Sequence, residues 1–386
     1  MADKPMNHPP MSEEKLNRLR DYYENGTSFD GVPKKVQDHL LRVKQMGGGE
    51  GIEFLSNLNK DYLGAFMAPF SRDVHNADIV VVGQPLEKSA PMNASHKYGP
   101  KAIRELSKNF MGTTEPWING DFDVPFDEAR IVDYGNIDTY GMFNLDAEVE
   151  HIMTHYDKIV NEAGCATISF GGDHTATYAP LRALGKQHGP LSVIHIDAHY
   201  DLVTKADFDY PYHSGAMFSK NYADGYVDPE RHIQIGIRGR MTGLVGGHAA
   251  NFGTTVLTAD EARRLSAEAM AQQIIDVVGD GPTYITLDLD GLDAIYNSAS
   301  SAVEPFGLDA VWLNDVFREV RASGKVNLVG ADIMEYAPQC DPAKTFGYYA
   351  AAFGWKFVCW LAADVARRKG VREGTVWPQA FGNVSL

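Results

Sequence analysis

Between Asp78 and about residue 370, short β-branched runs alternate with amphipathic helical stretches, and no other feature restricts the fold of this chain so tightly. Repeated strand, helix and strand units pack as crossovers around a mostly parallel sheet with helices on both faces. Candidate strands cover 79–83, 131–133, 166–170, 192–196, 233–237, 283–289 and 327–333. Most are apolar without interruption, as strands covered on both faces tend to be. Helices are predicted near 101–109, 147–163, 177–187, 259–278, 308–322 and 350–368, and the last is apolar all round, which places it in the interior. No proline- or serine-rich linker breaks the alternation. The expected fold class is therefore α/β, a three-layer single domain over residues 76–372 with a mostly parallel central sheet. Residues 1–75 read as an N-terminal extension with charged helical stretches near 13–24 and 36–45, and 373–386 as a C-terminal tail.

Charge narrows the partners. With 35 lysines and arginines against 51 aspartates and glutamates, the net charge is −16, so the chain has no cationic field to neutralise phosphates. Neither nucleic acid nor an anionic membrane surface is an expected partner. A composition of 44% hydrophobic and 22% charged residues is that of a globular chain, and the three cysteines, Cys165, Cys340 and Cys359, form no CxxC or Cys/His cluster. There is no apolar stretch behind a basic one at the N-terminus and no uninterrupted run of about 18 apolar residues. A cytoplasmic localisation is the expectation.

In open α/β sheets chemistry collects at the carboxyl ends of the strands. Three strand ends carry unusual residues: Gly171-Gly172-Asp173-His174, then His195-Ile196-Asp197-Ala198-His199-Tyr200-Asp201, then Asp288-Leu289-Asp290-Gly291-Leu292-Asp293. At a strand's period of two, His195, Asp197, His199 and Asp201 start on one face, as do Asp288 and Asp290. Carboxylates this close repel and desolvate badly, so the pattern points to a paired-acid site or to metal ions. Imidazoles from two neighbouring strands shift the balance to metal. Aspartates and histidines without a thiolate suit manganese or nickel, with zinc or iron less favoured.

These segments, GGDH at 171–174, DAHYD at 197–201 and DLDGLD at 288–293, together with GPKAIRE at 99–105 and GADIME at 330–335, resemble the signatures of the ureohydrolase family, to which arginase and agmatinase belong. The resemblance spans about residues 60–370 and implies an arginase-like fold. It implies two divalent metal ions, nickel or manganese, one held by His174, Asp197, Asp201 and Asp288 and the other by His199, Asp197, Asp288 and Asp290. Asp197 and Asp288 would bridge. Water activated between the ions would attack the carbon of a guanidinium-type group, with Glu335 hydrogen-bonding the substrate. A histidine near the mouth, His213, is the candidate to protonate the leaving amine.

Three segments depart from the family pattern. The family's His-Gly pair is replaced by His213-Ser214-Gly215, so the histidine is displaced by one position. The loop at 293–307 keeps its length but loses most of the family's prolines and glycines, and Ser95-His96-Lys97 replaces the usual run before Gly99-Pro100. A loop with altered backbone preferences beside the substrate changes specificity. The altered loops and the long extension resemble the guanidine and biguanide hydrolase branch. The expected substrate is a small guanidine-type compound, with an agmatinase- or guanidinobutyrase-type activity as the alternative. A single-zinc deacetylase on a related fold is disfavoured because His174 and Asp290 complete a second ligand set. The resemblance also implies a homo- or hetero-oligomer, a trimer or hexamer, in which this chain either acts alone or needs a paralogous partner.

Overall fold

The apolar runs form strands because both of their faces are covered. In the computed structural model, which describes residues 11–26, 33–47, 65–87, 95–108, 115–116, 122–139, 144–207, 209–239 and 242–370, Val80 and Val82 face one hydrophobic layer while Ile79 and Val81 face the other. The expected tail at 373–386 lies outside the described residues, as do the first ten residues and 48–64.

The sheet comprises β1 (Ile79–Gln84), β2 (Ile131–Asn136), β3 (Ala166–Gly171), β4 (Leu191–Ile196), β5 (Val227–Ile237), β6 (Thr255–Thr258), β7 (Pro282–Asp288) and β8 (Asn327–Met334). These eight strands run in the order β2-β1-β3-β8-β7-β4-β5-β6, and every pairing is parallel. The sheet is thus wholly parallel rather than mostly so. A small antiparallel ribbon, Glu115–Pro116 with Phe122–Asp123, stands apart from it.

The helices are α1 (Glu13–Asn25), α2 (Lys34–Gly47), α3 (Gly99–Ser107), α4 (Leu145–Tyr156), α5 (Tyr178–His188), α6 (Met217–Ala223), α7 (Thr242–Phe252), α8 (Ala267–Val278), α9 (Ala310–Ala322) and α10 (Thr345–Lys369). One face of the sheet packs on α3, α8, α9 and α10, the other on α4 and α5, giving three layers. The helix expected over 259–278 is split. A first turn, Ala259–Ala262, is closed by a capping box between Thr258 and Glu261, and Ser266 then caps α8 by accepting from the Ala269 amide. The stretch read as 147–163 begins at Leu145 and widens into a π turn over Asp157–Glu162.

As its composition predicts, α10 is buried on most of its surface, from Gly347 to Val365. No helix among the described residues is long and apolar enough to cross a membrane. Of the extension, α1 buries nothing, whereas α2 buries Val36 and sets His39 3.2 Å from Asp127. Residues 65–68 join the core through Ala65, Phe66 and Ala68, and Asp133 accepts the Ala65 amide at 2.7 Å.

Candidate metal centre

The chain order sets the site. After β3 the chain skips two sheet positions to form β4, and these are filled later by β7 and β8, so the ends of β3, β8, β7 and β4 lie side by side. Gly172 is required where the β3 end passes the chain beyond β1, because a Cβ there would stand 1.6 Å from the Leu86 carbonyl oxygen. Two side chains at the site sit on left-handed backbone, Asp201 at φ 50° and Glu335 at φ 61°. For non-glycine residues each costs on the order of 1 kcal/mol, a strain typical of functional positions.

The side chains converge as two clusters that share Asp197: His174, His195, Asp197 and Asp201, and Asp197, His199 and Asp290, with ligand atoms within 4.8 Å of one another in each. His174 Nδ1 is 3.2 Å from Asp197 Oδ2, 3.0 Å from Asp201 Oδ2 and 3.2 Å from Asp288 Oδ2. Its Nε2 is fixed by the Thr286 hydroxyl at 2.9 Å. His199 Nδ1 lies 3.3 Å from Asp290 Oδ2 and 3.4 Å from Asp197 Oδ1. Backbone amides orient the acids: that of His199 donates to Asp197 Oδ1 at 2.6 Å, that of Ala198 to Asp290 Oδ1 at 3.2 Å, and that of Asp290 to Asp288 Oδ1 at 2.9 Å. His195 has both ring nitrogens occupied, Nε2 2.7 Å from Asp197 Oδ2 and Nδ1 3.1 Å from Gln234 Nε2, so it orients Asp197.

Burial makes this concentration of charge expensive. Asp197, Asp288, Asp290 and His174 are almost wholly inaccessible. Burial, reinforced by Asp290 and Asp197, holds the Asp288 carboxyl well above the carboxylate range, and burial also raises Asp290. Asp197 goes the other way, because the imidazoles of His174 and His195 beside it overcome its burial. Burial would lower His174, but Asp197, Asp201 and Asp288 override it and raise it far above normal.

His174 Nδ1 nevertheless has no aligned hydrogen bond. A ring nitrogen without an aligned bond, faced by three carboxylate oxygens at 3.0–3.2 Å, is a donor set for a divalent cation, and the shared Asp197 extends it to two. The residues fit the group.

Glu335 follows β8 and is 5% exposed. Its own amide donates to Gly172 O at 3.0 Å, and its Oε1 accepts the His174 amide at 2.9 Å. Burial, then Asp288, Asp173 and Asp290, push its carboxyl well up. Six of the expected residues, His174, Asp197, His199, Asp201, Asp288 and Asp290, therefore meet, with Glu335 tied to them through His174. His213 heads the turn Ser214–Ala216, which packs on His174–Thr177, and its half-buried Nδ1 accepts from the Gly215 amide at 2.9 Å.

Sequence reasoning gave Thr286 and Arg238 no part in the site and noted His96 only as a departure from the family pattern. Thr286 shares the strand face of Asp288, and period two would have found it. Arg238 fans across the carbonyls of Gly236, Asp290, Gly291, Leu292, Glu304 and Pro305, stitching the Asp290 loop to residues 304–305.

A model of the arginase family matches residues 77–359. The chain is 31% identical over 294 residues to the mitochondrial guanidino acid hydrolase of Homo sapiens, covering 76% of this chain and 81% of that protein. It is 31% identical over 297 residues to the agmatinase of Serratia proteamaculans (strain 568), covering 76% and 90%. The crystal structure of a hypothetical agmatinase from Burkholderia thailandensis superposes with a TM-score of 0.70 at 30% identity, covering 81% of this chain and 93% of that one. The matched span runs from β1 into α10 and carries, on a wholly parallel sheet, two His/Asp clusters able to hold divalent cations; the chain belongs to the arginase family, the metal-dependent hydrolases of guanidino C–N bonds.

Proposed function

We propose that this chain hydrolyses a small guanidine-type compound, guanidine itself or an alkylated guanidine or biguanide such as dimethylbiguanide, to ammonia or an amine and urea or guanylurea. The observation that carries the reading is the altered 293–307 loop, which is bonded across the surroundings of Glu335 through Ala299 and Ser301. The Ala337 amide donates to Ala299 O at 2.8 Å, and the Ser301 amide to His96 Nε2 at 3.3 Å. Buried groups close about the carboxylate favour a compact substrate over one with a long polar tail.

His174, Asp197, Asp201 and Asp288 would hold one divalent ion and His199, Asp197, Asp288 and Asp290 the other, and the pair would supply Lewis acidity and a water of lowered pKa. Nickel and manganese both suit these oxygen and imidazole donors. Glu335 accepts N–H bonds from the guanidinium and holds its carbon in place, a charge-assisted contact at a largely buried carboxylate. His213, whose Nδ1 accepts from the Gly215 amide, is the candidate to relay a proton to the leaving amine through Nε2, which takes a proton up before passing it on.

Relatives named agmatinase and guanidino acid hydrolase support a second reading, in which the substrate is agmatine or a guanidino acid. We place the enzyme in the cytoplasm as a trimer or hexamer, either of this chain alone or with a paralogue. The test is turnover with nickel or manganese on guanidine, dimethylbiguanide, agmatine, guanidinobutyrate and arginine, with products identified by mass spectrometry. Turnover of guanidine or dimethylbiguanide is the expected result. Preference for agmatine or guanidinobutyrate establishes the second reading, and silence across the panel with two ions bound per chain points to a companion subunit.

A further inference from the structure

Two of the segments that depart from the family pattern meet at one side chain. His96 is wholly buried, and its Nε2 lies 3.3 Å from the Ser301 amide, which donates to it, and 3.1 Å from Glu335 Oε2. Glu335 Oε2 makes no hydrogen bond, and neither does His96 Nδ1. Both segments are also tied to the stretch 335–339 that follows β8, since Ser95 Oγ accepts the Gln339 amide at 3.1 Å and Ala299 O accepts the Ala337 amide.

A neutral imidazole has one N–H and one lone pair, and burial keeps His96 neutral by pulling it below its ordinary value. Nε2 therefore cannot serve both neighbours. If it accepts from Ser301, its lone pair faces an unsatisfied carboxylate oxygen. If it donates to Glu335, the Ser301 amide loses its acceptor. Either state leaves a polar group unpaired, the buried Glu335 oxygen in one and the amide of half-buried Ser301 in the other, which costs up to about 1–3 kcal/mol. A planar cation that sets an N–H on Glu335 Oε2 removes the conflict, because the carboxylate is then satisfied from outside and Nε2 belongs to Ser301 alone.

We propose that His96 is a positioning residue that latches the 293–307 loop through the Ser301 amide when a guanidinium group occupies Glu335 Oε2. This rests on the reading of Glu335 as the guanidinium-binding carboxylate. Ligand and loop then stabilise one another by the same free energy. A neutral urea-type product makes a weaker bond to Glu335, so the latch loosens after reaction.

The test is hydrogen exchange across 293–307 in the metal-loaded enzyme with and without millimolar guanidinium chloride, alongside kinetics on the best substrate. We expect guanidinium to slow exchange around Ser301 in the wild type, His96→Ala to abolish that slowing, and His96→Gln, whose amide oxygen can accept from Ser301, to restore it. KM for His96→Ala should rise about tenfold with kcat changed less than about threefold, the signature of lost ground-state binding. Should His96→Ala fail to load metal, Ser301→Pro deletes the amide donor with His96 in place and is expected to lose the slowing too. Absence of slowing in the wild type, or undiminished slowing in the variants, overturns the latch. If the slowing follows the pattern while no guanidino compound is turned over, the latch stands and the catalytic reading falls.

Discussion

Asp288 answers to three neighbours at once. Its Oδ1 takes the Asp290 amide, its Oδ2 faces His174 Nδ1, and Asp290 and Asp197 repel it within a buried setting. Its charge therefore serves the cation and costs the fold. Asp288→Asn is expected to raise the stability of chelator-treated protein by about 1–2 kcal/mol while abolishing metal uptake and turnover, which thermal unfolding and elemental analysis measure together. Glu335→Gln should keep its metal, because Glu335 reaches the cluster only through the His174 amide, yet lose about 100-fold or more in kcat/KM with the charge that holds the guanidinium. Loss of metal from this variant would show that Glu335 supports the cluster instead. The assignment of each ligand to an ion came from the resemblance to the ureohydrolase signatures, while the clustering of acids and imidazoles was legible in the sequence because they recur at period two beside strand ends, where desolvation makes them costly without a cation. His96 was not, since the groups that give it meaning, Ser301 and Glu335, are brought to it from 205 residues or more away.

At the level of elements, the loops around the site are held by single side chains. Arg238 supplies carbonyls on both the Asp290 loop and the 304–305 loop with N–H bonds at 2.7–3.3 Å. A lysine cannot reproduce that fan. Arg238→Lys is expected to cost about 2–4 kcal/mol and to weaken metal retention, read from thermal unfolding and from metal content after dialysis. The short helix Pro125–Glu128 lies between α2 and α10 and carries a titrating group: burial, then Asp123, raise Glu128 from 4.5 to about 7. Because the folded value lies above the unfolded one, the contribution of Glu128 is full below pH about 4.5 and is lost as pH rises through about 7. Glu128→Gln should therefore match the wild type at pH about 4.5 and exceed it by about 1–2 kcal/mol at pH about 8, after allowance for solvent screening, in thermal unfolding at the two pH values. Most elements were legible from hydrophobic period. β6 was not, because four residues, Thr255-Val256-Leu257-Thr258, at a half-exposed edge carry no periodic signal. The break at Ser266 was hidden because a cap in the middle of an amphipathic run leaves the period intact.

Across the whole molecule, alternation told the class and the layers, while strand order lay beyond it, since nothing local says that β8 enters the sheet between β3 and β7. That placement divides the sheet into two blocks, β2-β1-β3 and β7-β4-β5-β6, until the last strand arrives. A chain ending at residue 325 would leave the facing edges of β3 and β7 unpaired and is expected to be insoluble or molten, checked by sedimentation and near-ultraviolet circular dichroism. The same order has a meaning during synthesis. Residues from both blocks, His174 on one side and Asp197, His199, Asp201, Asp288 and Asp290 on the other, become neighbours only when the keystone strand emerges from the ribosome. The ion that would count His174 among its ligands therefore finds its full set only on a chain whose last strand is in place, whereas the residues that would hold the other ion, Asp197, His199, Asp288 and Asp290, all belong to the β7-β4 block, so the two halves of the centre are completed at different stages of synthesis.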